Sequence, residues 1–98
     1  MANFSSSGLC HFIAGRFDLA ADCERRAVEL QPDFVSAWRT YAAAAGMAKR
    51  QDEAARALSQ AKELQPSLSI EWVEKYYQIV DARARGVYMQ GLRAAGLE

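Results

Sequence analysis

The stretch Glu29-Leu30-Gln31-Pro32 returns as Glu63-Leu64-Gln65-Pro66, an offset of 34 residues. The same offset joins Arg16 to Arg50, Asp18 to Asp52, Ala20 to Ala54, Ala21 to Ala55, Ala27 to Ala61 and Trp38 to Trp72. Self-similarity at one fixed interval is the mark of stacked supersecondary units. Each proline ends the segment before it, because it offers no N–H and its ring collides with the preceding turn of a helix.

Outward from the second tetrapeptide, the pattern is that of a helical hairpin. Over Val35–Met47, residues Trp38, Tyr41, Ala42 and Ala45 fall on one face at spacings of three and four. Residues 48–51 form a short polar turn. Helical spacing resumes over Asp52–Leu64, with Ala54, Ala57, Leu58, Ala61 and Leu64 on one stripe. Asp52 and Glu53 suit the positive end of that helix dipole. The earlier unit follows the same plan. Ser5-Ser6-Ser7 supplies capping hydroxyls or a frayed start, and a helix runs to about Ala14. Gly15 takes the left-handed position after it, and Phe17–Leu30 forms the second helix. Residues 69–77 open a third unit with Trp72 in register, but Lys75 and Tyr76 replace the small residues a further hairpin needs. Asp81 is placed to cap a last helix that ends near Ala94, with Tyr88, Met89 and Leu92 as its apolar side and Gly96 after it. The expected fold is all-α and a single domain over residues 1–98. One repeat covers about 4–32, a second about 33–66, and a C-terminal helical cap shields the stack over 67–98.

Composition narrows the function. The 98 residues are 51% hydrophobic and 24% charged, the balance of a folded chain. Twelve basic side chains oppose twelve acidic ones. A neutral surface lacks the broad positive field that phosphate backbones select, which disfavours nucleic acid as a partner. No stretch reaches the ~20 apolar residues of a membrane helix. Residues 1–7 have neither the basic nor the apolar run of a signal peptide. With two cysteines and no disulfide framework, the expected location is a reducing cytoplasm.

The second unit resembles a tetratricopeptide repeat in Trp38, Tyr41, Ala42 and Ala45, followed by Ala54, Leu58, Ala61 and Pro66. The first unit matches less well through Phe4, Gly8, His11, Ala20, Ala27 and Pro32, with Ser7 and Glu24 departing from apolar positions. The resemblance implies a right-handed α-solenoid fragment. In it the small residues Ala42, Ala54 and Ala61 let backbones approach, and Trp38 wedges between the helices of its own hairpin. A narrower likeness lies in Gly91-Leu92-Arg93-Ala94-Ala95-Gly96-Leu97 and in the entry Pro66-Ser67-Leu68-Ser69-Ile70. Both are similar to C-terminal tetratricopeptide regions of bacterial signalling proteins, among them class III adenylate/guanylate cyclases and winged-helix regulators. This implies the regulatory end of a longer protein, with any cyclase catalytic domain absent from these residues. A winged-helix DNA-binding regulator, with this region as its effector part, is an alternative.

No catalytic constellation is visible. Cys10, His11 and Cys23 are the only soft ligands, short of the four a zinc site needs. His11 has no evident nucleophile or carboxylate orienter near it in sequence. The expectation is no enzyme activity, no metal and no cofactor. The two cysteines read as buried small hydrophobes, Trp38 and Trp72 as core, and Arg83, Arg85 and Arg93 as a solvated helix face.

The expected role is protein or peptide binding. In tetratricopeptide arrays the first helix of each hairpin lines a concave groove. By register, Ser5, Leu9, Phe12, Ser36, Arg39, Ala43 and Met47 are the groove candidates, with Arg39 placed to grip a carboxylate. A competing reading has Leu9, Phe12 and Ile13 covered by another hairpin or by self-association, most simply as a symmetric dimer. A purely structural dimerisation element is the corresponding alternative function.

Overall fold

The computed structural model describes residues 4–76 and 82–97. Six helices and no strand occur among them: α1 (Phe4–Ile13), α2 (Phe17–Leu30), α3 (Val35–Met47), α4 (Gln51–Leu64), α5 (Ile70–Tyr76) and α6 (Ala82–Ala95). The bounds of α2, α3 and α4 and the end of α1 lie within about a residue of those expected, but α1 starts earlier, at Phe4. Ser5, Ser6 and Ser7 sit inside α1 and do not precede it. Asp81, the expected cap of α6, lies outside the described residues.

The 34-residue offset persists in the backbone. Arg16 and Arg50 precede their helices at φ −93°, ψ 74° and φ −94°, ψ 71°. Gln31 and Gln65 follow theirs at φ −136°, ψ 79° and φ −139°, ψ 84°. The turns inside the two hairpins carry the same pair of hydrogen bonds. Arg16 N–H donates to His11 O and Gly15 N–H to Phe12 O, while Arg50 N–H donates to Ala45 O and Lys49 N–H to Gly46 O. That pairing is a Schellman ending, and it needs a left-handed residue at its centre. Gly15 supplies it at φ 83° in the first hairpin, and Lys49 at φ 63° in the second. A side chain in that region costs roughly 1–2 kcal/mol. Lys49→Gly is therefore expected to stabilise the protein by about 1 kcal/mol after the extra freedom of an unfolded glycine is deducted. A urea titration checks it: the midpoint should rise at unchanged slope.

The seams are built from alanine. Ala20, Ala21, Ala37, Ala42, Ala43, Ala44, Ala45, Ala54, Ala57 and Ala61 are all buried, so helix backbones lie close where larger side chains would hold them apart. Glu24 stands where the second hairpin has Leu58, and it too is fully buried. Gly8 makes the room: a Cβ there would come within 2.7 Å of the Glu24 carboxyl carbon. Ala42 and Leu58 in one hairpin are thus matched by Gly8 and Glu24 in the other. Leu64, expected on the apolar stripe of α4, is exposed at its end, as is Leu30 at the end of α2.

The third unit departs from the plan. Helix α3 packs on α2, but among the described residues α5 packs against α6 and makes no comparable seam with α4. Helix α6 instead turns back along α3 and also meets α4. The crossing is tight at two glycines. A Cβ on Gly91 would fall on the Ala43 carbonyl oxygen and within 2.9 Å of its carbon. A Cβ on Gly46 would fall on the Gly91 carbonyl and lie 3.3 Å from the Ala94 Cβ. Helix α6 closes with a third Schellman ending: Leu97 N–H donates to Leu92 O and Gly96 N–H to Arg93 O, both at 3.0 Å, with Gly96 at φ 115°. Leu97 then folds back into the core. Packing and capping account for Gly91, Leu92, Ala95, Gly96 and Leu97 of the tail motif.

Candidate interaction surface

The face expected to be an open groove is filled by the chain itself. Tyr88 of α6 is fully buried, with its ring edge-on to Phe12 at 5.4 Å and 72°. Its hydroxyl meets Thr40 Oγ1 of α3 at 3.2 Å. Leu92, one turn on, is buried beside it. Phe12 also meets Phe17 edge-on at 5.3 Å and is only 2% exposed. The groove candidates divide accordingly. Phe12 and Ala43 are core residues, Met47 packs against the core, and Leu9 and Ser36 are half-buried. Ser5 lies in the first turn of α1. The reading of Phe12 and Ala43 as ligand-facing is corrected: both are covered by α6 or by the glycine crossing. Of the self-association candidates Leu9, Phe12 and Ile13, only Ile13 is exposed, at 49%.

Arg39 is corrected in the same way. It is buried, and its Nη1 donates to Gln65 Oε1 at 2.6 Å. Its guanidinium carbon lies 4.9 Å from the centre of the Trp72 ring. It ties α3 to the loop after α4 and to α5, so its planar fork is spent inside the molecule.

A different concavity is open on the other side of α3. Arg25, Val28 and Glu29 of α2, Trp38 and Tyr41 of α3, and Glu53, Arg56 and Ala57 of α4 line a cleft of about 390 Å³. Trp38 is half-buried here and packs against the core. Its indole N–H donates to the Pro32 carbonyl at 2.7 Å, and its ring stacks on Tyr41 at 6.2 Å. The Tyr41 hydroxyl donates to Glu53 Oε1 at 3.0 Å. Burial and that carboxylate push the Tyr41 hydroxyl up to about 12. Glu53 is held below the ordinary carboxylate range chiefly by its hydrogen bond from Arg50 Nε. Arg50 reaches on to Asp22 at 3.0 Å and Asp18 at 3.6 Å across the hairpin boundary, and its own proton is held more firmly than usual. The Arg50 bridge thus pins α4 to α2 at one end of the cleft. Arg25 and Arg56 are exposed on its walls, with no ion pair among the described residues. Register reasoning missed this cleft because it looked to the inner helix faces. The signal available was the aromatic pair Trp38 and Tyr41 with arginines at Arg25 and Arg56.

The cysteines are free, with Cys10 exposed and Cys23 half-buried, which corrects the expectation of two buried thiols. Burial, then the Glu24 and Asp22 carboxylates, push the Cys23 thiol up, so it stays neutral. Arg83 and Arg93 are exposed on α6 and Arg85 is half-buried. No cluster of three or more His, Cys, Asp or Glu suited to a metal ion occurs among the described residues. No helix among them is long and apolar enough to cross a membrane. Comparison with models of known protein families, with curated proteins and with solved structures returned no match.

Proposed function

We propose that the chain is a protein-interaction module of tetratricopeptide type that works through its outer surface. The observation that carries this reading is the cleft between α2, α3 and α4. It pairs an aromatic floor, Trp38 and Tyr41, with two uncommitted guanidiniums, Arg25 and Arg56. Aromatic anchors with arginines are the side chains that dominate protein–protein contacts. The chemistry suits an extended or helical segment that carries an acidic group, with Arg25 and Arg56 in the role first assigned to Arg39. The repeated hydrogen-bond pattern of the two hairpins supports the tetratricopeptide assignment. The path of α6 along α3 is its main departure from that plan.

Placement at the C-terminal end of a bacterial signalling protein, a nucleotide cyclase among the alternatives, rests on the entry Pro66-Ser67-Leu68-Ser69-Ile70 and on the tail residues. Packing already accounts for most of those.

The experiment is affinity capture on the immobilised full chain, with wild type run beside the double charge reversal Arg25→Glu, Arg56→Glu. Proteins held by the wild type and lost by the variant are the expected result. The same proteins on both would remove the cleft from the binding surface.

A further inference from the structure

The cleft of Trp38 and Tyr41 carries carboxylates of its own. Four charged side chains line it: Arg25 and Glu29 from α2, and Glu53 and Arg56 from α4. Two positive charges face two negative ones, so the lining taken alone is neutral and does not favour an acidic group.

Arg50 breaks that balance from outside the lining. Its Nε donates to Glu53 Oε2, and its Nη2 donates to Glu53 Oε1 at 3.1 Å, so one guanidinium grips both carboxylate oxygens. The Tyr41 hydroxyl donates to the same Oε1 at 3.0 Å. Glu53 is therefore engaged at both oxygens before any ligand arrives. Arg50 also reaches Asp22 and Asp18, but these two stand exposed, whereas Arg50 and Glu53 are half-buried. Shielding from water makes the Glu53 contact the strongest of the set.

Arg25 is the competing cation. The Arg50 hydrogen bond foremost, and the nearby Arg25 charge after it, hold the Glu53 carboxyl below its ordinary range. Arg25 lies within electrostatic reach of Glu53, yet among the described residues the ion pair of Glu53 is with Arg50. The hairpin itself does not require this pair. The same two positions 34 residues earlier hold Arg16 and Leu19, and the turn before them has the same backbone course.

We infer that Arg50 determines which ligands the cleft accepts: by holding Glu53 it leaves Arg25 and Arg56 to an acidic group. Without Arg50, the Glu53 carboxylate turns to Arg25 and the cleft loses its preference for anions. Arg50 is thus a positioning residue, since it acts through Glu53 and Arg25. The inference rests on the cleft reading above and adds the residue that sets the sign of its charge.

The test is fluorescence anisotropy on the full chain at low salt with two short labelled peptides. One alternates leucine with glutamate, the other leucine with lysine. Wild type is expected to prefer the acidic probe. Arg50→Met keeps the aliphatic stem and removes the charge, and it should lower that preference about fivefold, the effect of one charge at close range in water. Adding Glu53→Gln to Arg50→Met should restore the preference, because the released carboxylate is gone. Asp18→Asn with Asp22→Asn cuts the bridge to α2 and leaves Glu53 held, so the preference should stay. Arg50→Lys keeps the charge without the planar fork and should fall between wild type and Arg50→Met. Circular dichroism verifies that each variant is folded. An undiminished preference in Arg50→Met overturns the inference and leaves the cleft reading standing. So does a loss that Glu53→Gln fails to restore, since Arg50 would then act only by pinning α4 to α2. Wild type that holds the acidic probe no better than Arg25→Glu, Arg56→Glu sinks the cleft reading, and the inference with it.

Discussion

Replacing Tyr88 with alanine is expected to cost about 4 kcal/mol of folding stability, the usual toll for deleting a buried aromatic ring. Three losses combine. The ring is fully buried, so its removal opens a cavity where α6 meets α1 and α3. The edge-on contact with Phe12 disappears, worth ~1 kcal/mol beyond area alone. Thr40 is 2% exposed and loses the hydroxyl it meets at 3.2 Å. Tyr88→Phe separates the terms: it keeps the ring and should cost only about 1 kcal/mol. A domain of this size has roughly 5–15 kcal/mol in all, so the alanine variant gives up a quarter or more of it. Urea unfolding reads both variants. An alanine variant within 1 kcal/mol of wild type would mean that α6 is not seated on the inner face.

The second large effect is a contrast within one helix. Glycine to alanine in an exposed helix interior ordinarily gains up to about 1 kcal/mol. Gly86 is such a site: it is exposed, and nothing lies within 4 Å of a Cβ built there. Gly86→Ala is therefore expected to stabilise. Gly91→Ala, five residues on in α6, should destabilise by about 3 kcal/mol, because the new methyl meets the Ala43 backbone and neither helix can yield without parting. At ~4–8 °C per kcal/mol for a domain of this size, the two melting temperatures should move in opposite directions and end more than 10 °C apart. Equal shifts of the same sign would remove the close crossing of α3 and α6.

Much of this architecture was legible in the residues, and the reasons differ by element. Pro32 and Pro66 fix two helix ends because proline forbids continuation. Gly15 announces its turn by residue type. Lys49 does not, and only its place 34 residues after Gly15 reveals the same conformation. The route of α6 was not legible. Gly46 and Gly91 lie far apart in the chain, and each reads alone as a weak spot in a helix. Only their meeting explains them. The reading of Phe12, Arg39 and Ala43 as groove residues failed for the same cause, since register says which way Ala43 and Arg39 point but not what lies opposite. Glu24 at an apolar position looked like a defect in the repeat and is accommodated by Gly8. The cleft of Trp38, Tyr41, Arg25 and Arg56 needed the relative placement of three helices.

The return of α6 along α3 also sets an order of events during synthesis. The two hairpins make contacts local in sequence and can close as they leave the ribosome. The hollow under Phe12 and Thr40 has no filling until Tyr88 emerges, 76 positions after Phe12. Until then the nascent chain carries a wet aromatic surface of the sort chaperones recognise. Arrival of the fourteen-residue helix α6 is thus the step that covers this surface.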